Sequence, residues 1–185
     1  MFGIAYVIFV FFLATAFAAV EIQIEGEHGW AQDLPCWRPK PGNRLARIFS
    51  FFNSGKPLTG YHLAANVVVL LIIHFPFFAG VSWSIEKELE TISYLCLLVI
   101  CEDFLWFVWN PSYGVKKFGP QYIWWHKKWT GPVPSDYDTA VAISFLINLG
   151  LARFSFNQYM INWLISIAIL GFLVLASVLI ASLKK

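Results

Sequence analysis

The sequence predicts an all-α integral membrane protein, a bundle of about five transmembrane helices with an aromatic segment at the membrane interface. Three observations point there. The chain of 185 residues is 58% hydrophobic and only 13% charged, whereas soluble domains run near ~25% charged. Its mean hydropathy is +0.64. Uncharged apolar runs, long enough to cross ~30 Å of hydrocarbon at ~1.5 Å per residue, recur along its length. The loops between them are too short to fold separately, so residues 1–185 form one membrane domain.

The first span is expected over residues 1–20, which carry no charge. Ala16-Phe17-Ala18 resembles a signal-peptidase site, but the basic n-region is missing, so a retained anchor is expected. Residues 21–57 are polar and rich in proline and read as an interfacial loop. Residues 58–80 supply the second span, inside a stretch from Pro57 to Ile85 without Asp, Glu, Lys or Arg. A short acidic link, Glu86 to Glu90, leads to the third span over 91–110, ended at Asn110-Pro111 because proline disfavours helix in the residue before it.

Residues 111–135 are aromatic, basic and punctuated by Gly and Pro. They read as a segment lying at the headgroups, with Trp124, Trp125 and Trp129 as anchors and Lys127 and Lys128 facing anionic lipid. Ser135 is the expected N-cap of a fourth span over 136–152, with Asp136 and Asp138 at the positive end of the helix dipole. That helix is short, about 25 Å. Residues 158–182 make the last span.

Charge sets the expected orientation. With five spans, 11 of the 13 basic residues fall on one side: Arg38, Lys40, Arg44, Arg47, Lys56, Lys116, Lys117, Lys127, Lys128, Lys184 and Lys185. Lys87 and Arg153 fall on the other. The positive-inside rule then places the N-terminus outside and the C-terminus in the cytoplasm. A re-entrant fourth helix would shift this balance only slightly.

The polar residues that do not belong in lipid are the functional candidates. Glu102 and Asp103 are the only charges between Thr91 and Val115; each costs roughly 2.5–3.5 kcal/mol near the bilayer centre, so they should face a cavity, a partner or a reaction. Adjacent helical residues diverge by about 100°, so one acid at most faces a given pocket. Glu102 is favoured, because it shares an i, i+4, i+7 face with Trp106 and Trp109. Asp103 is then expected against a neighbouring helix, and a purely structural role for the pair would set them against Asn66, Asn148 or a buried lysine. His62, with Asn66 one turn deeper, lies at the same end of the second span. His74 sits about 18 Å further along and is rotated by about 120°.

These positions predict a His/Glu pocket at the cytoplasmic leaflet. Glu102, Asp103 and His62 are the candidate catalytic residues, and Trp106, Trp109, Asn66 and Trp125 the candidate pocket walls. A carboxyl and an imidazole in such a setting suit general acid–base work. A metal is an option: His62, Glu102, His126, Glu25 and His28 offer the nitrogen and oxygen ligands that zinc or iron takes, and Glu25 and His28 carry the Glu-x-x-His spacing of carboxylate sites in helix bundles. Gly26 and Gly29 argue instead for a turn there.

The leading functional expectation is therefore binding or chemical processing of a lipid-like molecule, with metal assistance as an option. A non-catalytic subunit of a larger membrane complex and a small transporter or proton path are the alternatives. Membrane lipids, a membrane-protein partner or a second copy of the chain are the expected partners. No basic stripe suggests nucleic acid. No HExxH, GxSxG or Walker pattern occurs, and three cysteines without CxxC spacing do not make a disulfide framework.

Overall fold

A computed structural model describes residues 3–183; Met1, Phe2, Lys184 and Lys185, and with them the two C-terminal lysines of the charge count, lie outside the described residues. The chain is an all-α membrane protein. Its helices are α1 (Ile4–Glu25), α2 (Arg44–Phe52), α3 (Gly60–Phe78), α4 (Ile85–Trp109), α5 (Ser135–Leu151) and α6 (Asn162–Leu183), the last entered through a π-helical turn at Asn157–Ile161. Four of these segments, α1, α3, α4 and the continuous Asn157–Leu183 helix, are long and apolar enough to cross a membrane. α5, with 17 residues, reaches about 25 Å.

α4 is the central helix and the most buried of the four. α1 packs along it through a stripe of Val7, Val10, Ala14, Ala18 and Ile22, whose two alanines allow close backbone approach. α5 runs antiparallel to α4: Tyr137 meets Asp103, while Ser144 and Asn148 meet Ser93. α6 closes the bundle, with Trp163 donating to Ser144 and Tyr94 bonded to Ser166. Most of α3 and α6 is left exposed, as expected of lipid-facing helices.

Three element ends differ from the sequence expectation, each for a local reason. α1 continues past Val20 to Glu25 because Ile22 extends the buried stripe, and it stops where Gly26 takes φ +61°. Glu21 and Glu25 are therefore helical rather than part of a loop. α4 begins at Ile85, because Ser84 caps Lys87 N–H and the acids of the supposed link occupy the first turns, where the dipole favours them. Within the expected loop 21–57, Asn43 caps α2, whose Leu45, Ile48, Phe51 and Phe52 are all exposed. That pattern suits a helix lying in the interface.

Ser135 is the first residue of α5 and makes no cap of its own. The N-terminal amide of Asp136 is instead satisfied by Ser54 Oγ at 2.9 Å. Segment 111–135 does more than lie at the headgroups. It folds back over the last two turns of α4, where Trp125 stacks on Phe107 at 5.9 Å and meets Trp106 edge-on at 5.7 Å. Tyr113 and Phe118 complete this aromatic cap, while Trp124 and Tyr122 remain exposed. A two-residue antiparallel hairpin, Trp129–Thr130 with Val133–Pro134, turns the chain into α5.

Candidate functional site

The polar candidates converge at one end of the bundle. The last turns of α1, the first turn of α3, the first turn of α5 and the α4 turn carrying Glu102 and Asp103 meet around a cavity of about 310 Å³. The acids are thus level with the last turns of α1 and the first turns of α3 and α5, and roofed by the aromatic segment. The remaining turns of α4 project past them into the cap, which explains why Trp106, Phe107 and Val108 are buried.

Two sets of charges can be separated here. The first is a closed ring. Lys56 Nζ donates to Asp103 Oδ1 at 2.8 Å and lies 3.2 Å from Asp136 Oδ2. His126 faces the same two carboxylates from the other side, with Nε2 3.1 Å from Asp103 Oδ2 and Nδ1 3.4 Å from Asp136 Oδ1. Both imidazole nitrogens thus face carboxylate oxygens, with Nε2 at hydrogen-bonding distance from Asp103. The hydroxyl of Tyr137 donates to Asp103 Oδ2 at 2.6 Å. Burial works against the Lys56 ammonium, but Asp103 and Asp136 outweigh it and hold its pKa above the ordinary lysine value. Lys56 and His126 are thus set opposite the two acids, Asp103 and Asp136.

Ser54 ties this ring to the backbone. With φ +50°, it accepts from Lys127 N and Lys128 N through its carbonyl and returns its hydroxyl to Lys128 O at 3.0 Å. The segment before α3 and the segment before α5 are thereby held together across the cavity mouth.

The second set has no such balance. Glu21 and Glu25, four residues apart on α1, face His62 on α3, and one ligand atom from each lies within 4.8 Å of the others. The Glu102 carboxyl lies against that of Glu21, and its Oε1 has no hydrogen-bond partner among the described residues. His62 is held rigidly: Thr59 Oγ1 is 2.7 Å from Nδ1, and Trp30 stacks on the ring at 3.7 Å. Trp30 is itself pinned by its Nε1 donating to Pro57 O at 2.7 Å. Its backbone and that of Ala31 take φ +49° and +50°, a costly conformation for such residues that tends to persist where a site over-determines it. The amide of Ala31 donates to Glu25 Oε1 at 2.5 Å.

Of the residues named from sequence, Glu102, Asp103, His62, Asn66, Trp106, Trp125 and Glu25 all line the cavity. Asn66 turns its amide to the His62 carbonyl at 2.7 Å. Trp109 does not line it and packs against the core from outside. Two expected metal ligands are placed elsewhere. His28 follows the Gly26 turn, so it points away from Glu25 and instead meets Asp33 at 3.2 Å at the surface. His126 is committed to the ring with Asp103 and Asp136. His74, at the opposite end, pairs with Glu88 at 3.0 Å.

Glu21, Lys56, Asp136, Tyr137, Thr59 and Trp30 belong to the site although sequence reasoning did not select them. Only Glu21 left a local signal, its i, i+4 spacing from Glu25 once α1 is extended by a turn. The rest are brought in by contacts distant in sequence.

The cavity is amphiphilic. Its acidic end gives way to a trough between α3 and α5 lined by Leu70, Leu95, Val99 and Ile143. Leu70 and Ile143 are also exposed, so the trough reaches the outer surface between α3 and α5. Comparison with known protein families, characterised proteins and solved structures gives no match for this chain.

Proposed function

We propose that this protein binds a lipid-like molecule taken from the membrane and acts on its polar head. The observation that carries this reading is the shape and polarity of the cavity: an apolar trough open between α3 and α5, leading to a buried carboxyl and imidazole end. An acyl or isoprenoid tail fits the trough, and the head lies against Glu102, Glu21, Glu25 and His62. Glu102, with an unpartnered oxygen, is the proton-transferring group, and His62 positions the head or shares the proton. The surplus of carboxyls favours a neutral hydroxyl or amine head and repels a bare phosphate.

The orientation belongs to this reading. Arg38, Lys40, Arg44, Arg47, Lys56, Lys116, Lys117, Lys127 and Lys128 fall in segments at the cavity end of the bundle. By the positive-inside rule that end faces the cytoplasm, which puts the N-terminus outside and the C-terminus inside.

The test uses protein in nanodiscs made from total lipid extract of the expression host, with bound and converted species followed by mass spectrometry. Wild type should retain a copurifying amphiphile. Ala140→Phe, which fills the trough from α5, should lose it without loss of fold. Glu102→Gln should retain the amphiphile but fail to convert it. If Ala140→Phe and wild type carry the same lipids in the same amounts, the trough is not a binding site and the reading is wrong.

A further inference from the structure

Once the Lys56 ring is set aside, the cavity still holds the carboxyls of Glu21, Glu25 and Glu102 and one imidazole. Among the described residues, the only Lys or Arg lining the cavity is Lys56, which is committed to Asp103 and Asp136 at 2.8 and 3.2 Å. Buried carboxylates in this number need a cation or protons to compensate them.

A buried nitrogen of His62 indicates which. Thr59 Oγ1 already receives the His62 backbone amide, and it lies 2.7 Å from Nδ1. Thr59 Oγ1 fixes Nδ1 by a hydrogen bond in either tautomer, and where the threonine accepts that bond the lone pair is left on Nε2 for a ligand. That atom belongs to a side chain only 5% exposed. Among the described residues it has no hydrogen-bond partner, and it lies 3.4 Å from Glu25 Oε1. With its lone pair on Nε2 the imidazole faces this carboxylate as a second acceptor, and a cation between the two would join them. An imidazole whose other nitrogen is fixed by a hydrogen bond is also the usual outer arrangement of a metal-ligating histidine.

We propose that Glu21, Glu25 and His62 bind a divalent transition metal, with Glu102 as the nearest further oxygen ligand. One nitrogen with carboxylate oxygens suits zinc, manganese or iron(II), and suits neither an all-oxygen calcium site nor a thiolate copper site. The negative end of the α1 dipole, at Glu25, adds to the attraction. Ala31 N–H on Glu25 Oε1 and Thr59 on His62 are the outer contacts that hold the ligands in place. The inference rests on the reading of this cavity as the functional site and specifies what its acidic end holds.

The experiment uses full-length protein carrying a tag without histidine, purified in mild detergent without chelators. Elemental analysis should find close to one zinc, manganese or iron per chain. Chelator-stripped protein should take up Zn²⁺ or Mn²⁺ stoichiometrically, with a rise in Tm and a change in Trp fluorescence through Trp30. His62→Gln and Glu25→Gln should lose the metal, whereas His126→Gln and His28→Ala should keep it. Thr59→Val should weaken it by about 10–100-fold, and Thr59→Ser should restore it. This pair, with titration of the wild type, keeps the test decisive if His62→Gln does not fold.

Wild-type protein that purifies metal-free and shows no Zn²⁺ or Mn²⁺ uptake would overturn the proposal, since protons must then compensate the cluster. If such protein still holds its amphiphile, the pocket reading survives alone. If metal binds stoichiometrically but no amphiphile is ever retained, the metal site stands and the pocket reading falls.

Discussion

Replacing Lys56 by methionine tests the separation of the buried charges into two sets. The side chain keeps its length and apolar stem but loses the ammonium that bridges Asp103 and Asp136. At an effective dielectric of ~20, Coulomb's law gives a gross attraction of about 6 kcal/mol at 2.8 Å and about 5 kcal/mol at 3.2 Å. Desolvating the ammonium and the two carboxylates costs several kcal/mol per ion, so the net worth is far smaller than that sum. Removing one partner is different, because it leaves the carboxylates buried with only His126 to neutralise them. Such a change costs about 3–5 kcal/mol, a large part of the 5–15 kcal/mol by which a typical domain is stable. For a chain of this length that corresponds to a fall in Tm of about 6–20 °C, read by thermal unfolding of the detergent-solubilised protein. Asp103→Asn added to Lys56→Met should recover part of the loss by removing one stranded charge. Glu102→Gln, outside the ring, should not lower Tm. If Lys56→Met melts with the wild type, or if Glu102→Gln is the more damaging change, Lys56 is not what compensates Asp103 and Asp136.

Two further substitutions probe how the site is held. Ser54→Ala removes the hydroxyl that accepts from Asp136 N and donates to Lys128 O; it should cost about 1–3 kcal/mol, and hydrogen exchange should quicken at residues 127–136 and not at α1. Gly29 has φ +64°, and a methyl group there would run into the ring of buried Trp125. Gly29→Ala should therefore destabilise by about 2–4 kcal/mol, from left-handed backbone strain plus overpacking, with a visible change in Trp fluorescence. Wild-type stability in either variant would mean that the contact concerned is not formed.

Several consequences of the sequence are purely local, and these were legible in advance. Apolar runs without charge identify helices that belong in lipid, because the cost of burying a charge there depends on the residue itself. Asn110-Pro111 ends α4 where proline requires it. Helix geometry alone turns Glu102 and Asp103 about 100° apart, toward different partners, but the cavity is wide enough that both line it, against the expectation of one acid at most. The expected boundaries failed where a side chain outside the hydropathy pattern acted as a cap, as at Ser84, or where a buried stripe ran on into polar residues, as at Ile22.

The pairing of charges was decided only by tertiary structure. Lys56 and Asp103 are 47 residues apart, and His126 and Asp103 are 23 apart. No periodicity connects them; they meet because α1, α3 and α5 bring their ends level with the Glu102–Asp103 turn of α4 and the segment after α4 folds back. Sequence could therefore place His126 and His62 at the same end of the bundle, but not assign one to the Lys56 ring and the other to an uncompensated cluster. Burial and helical spacing are properties of a segment, whereas the compensation of a buried charge is a property of whatever the fold sets opposite it.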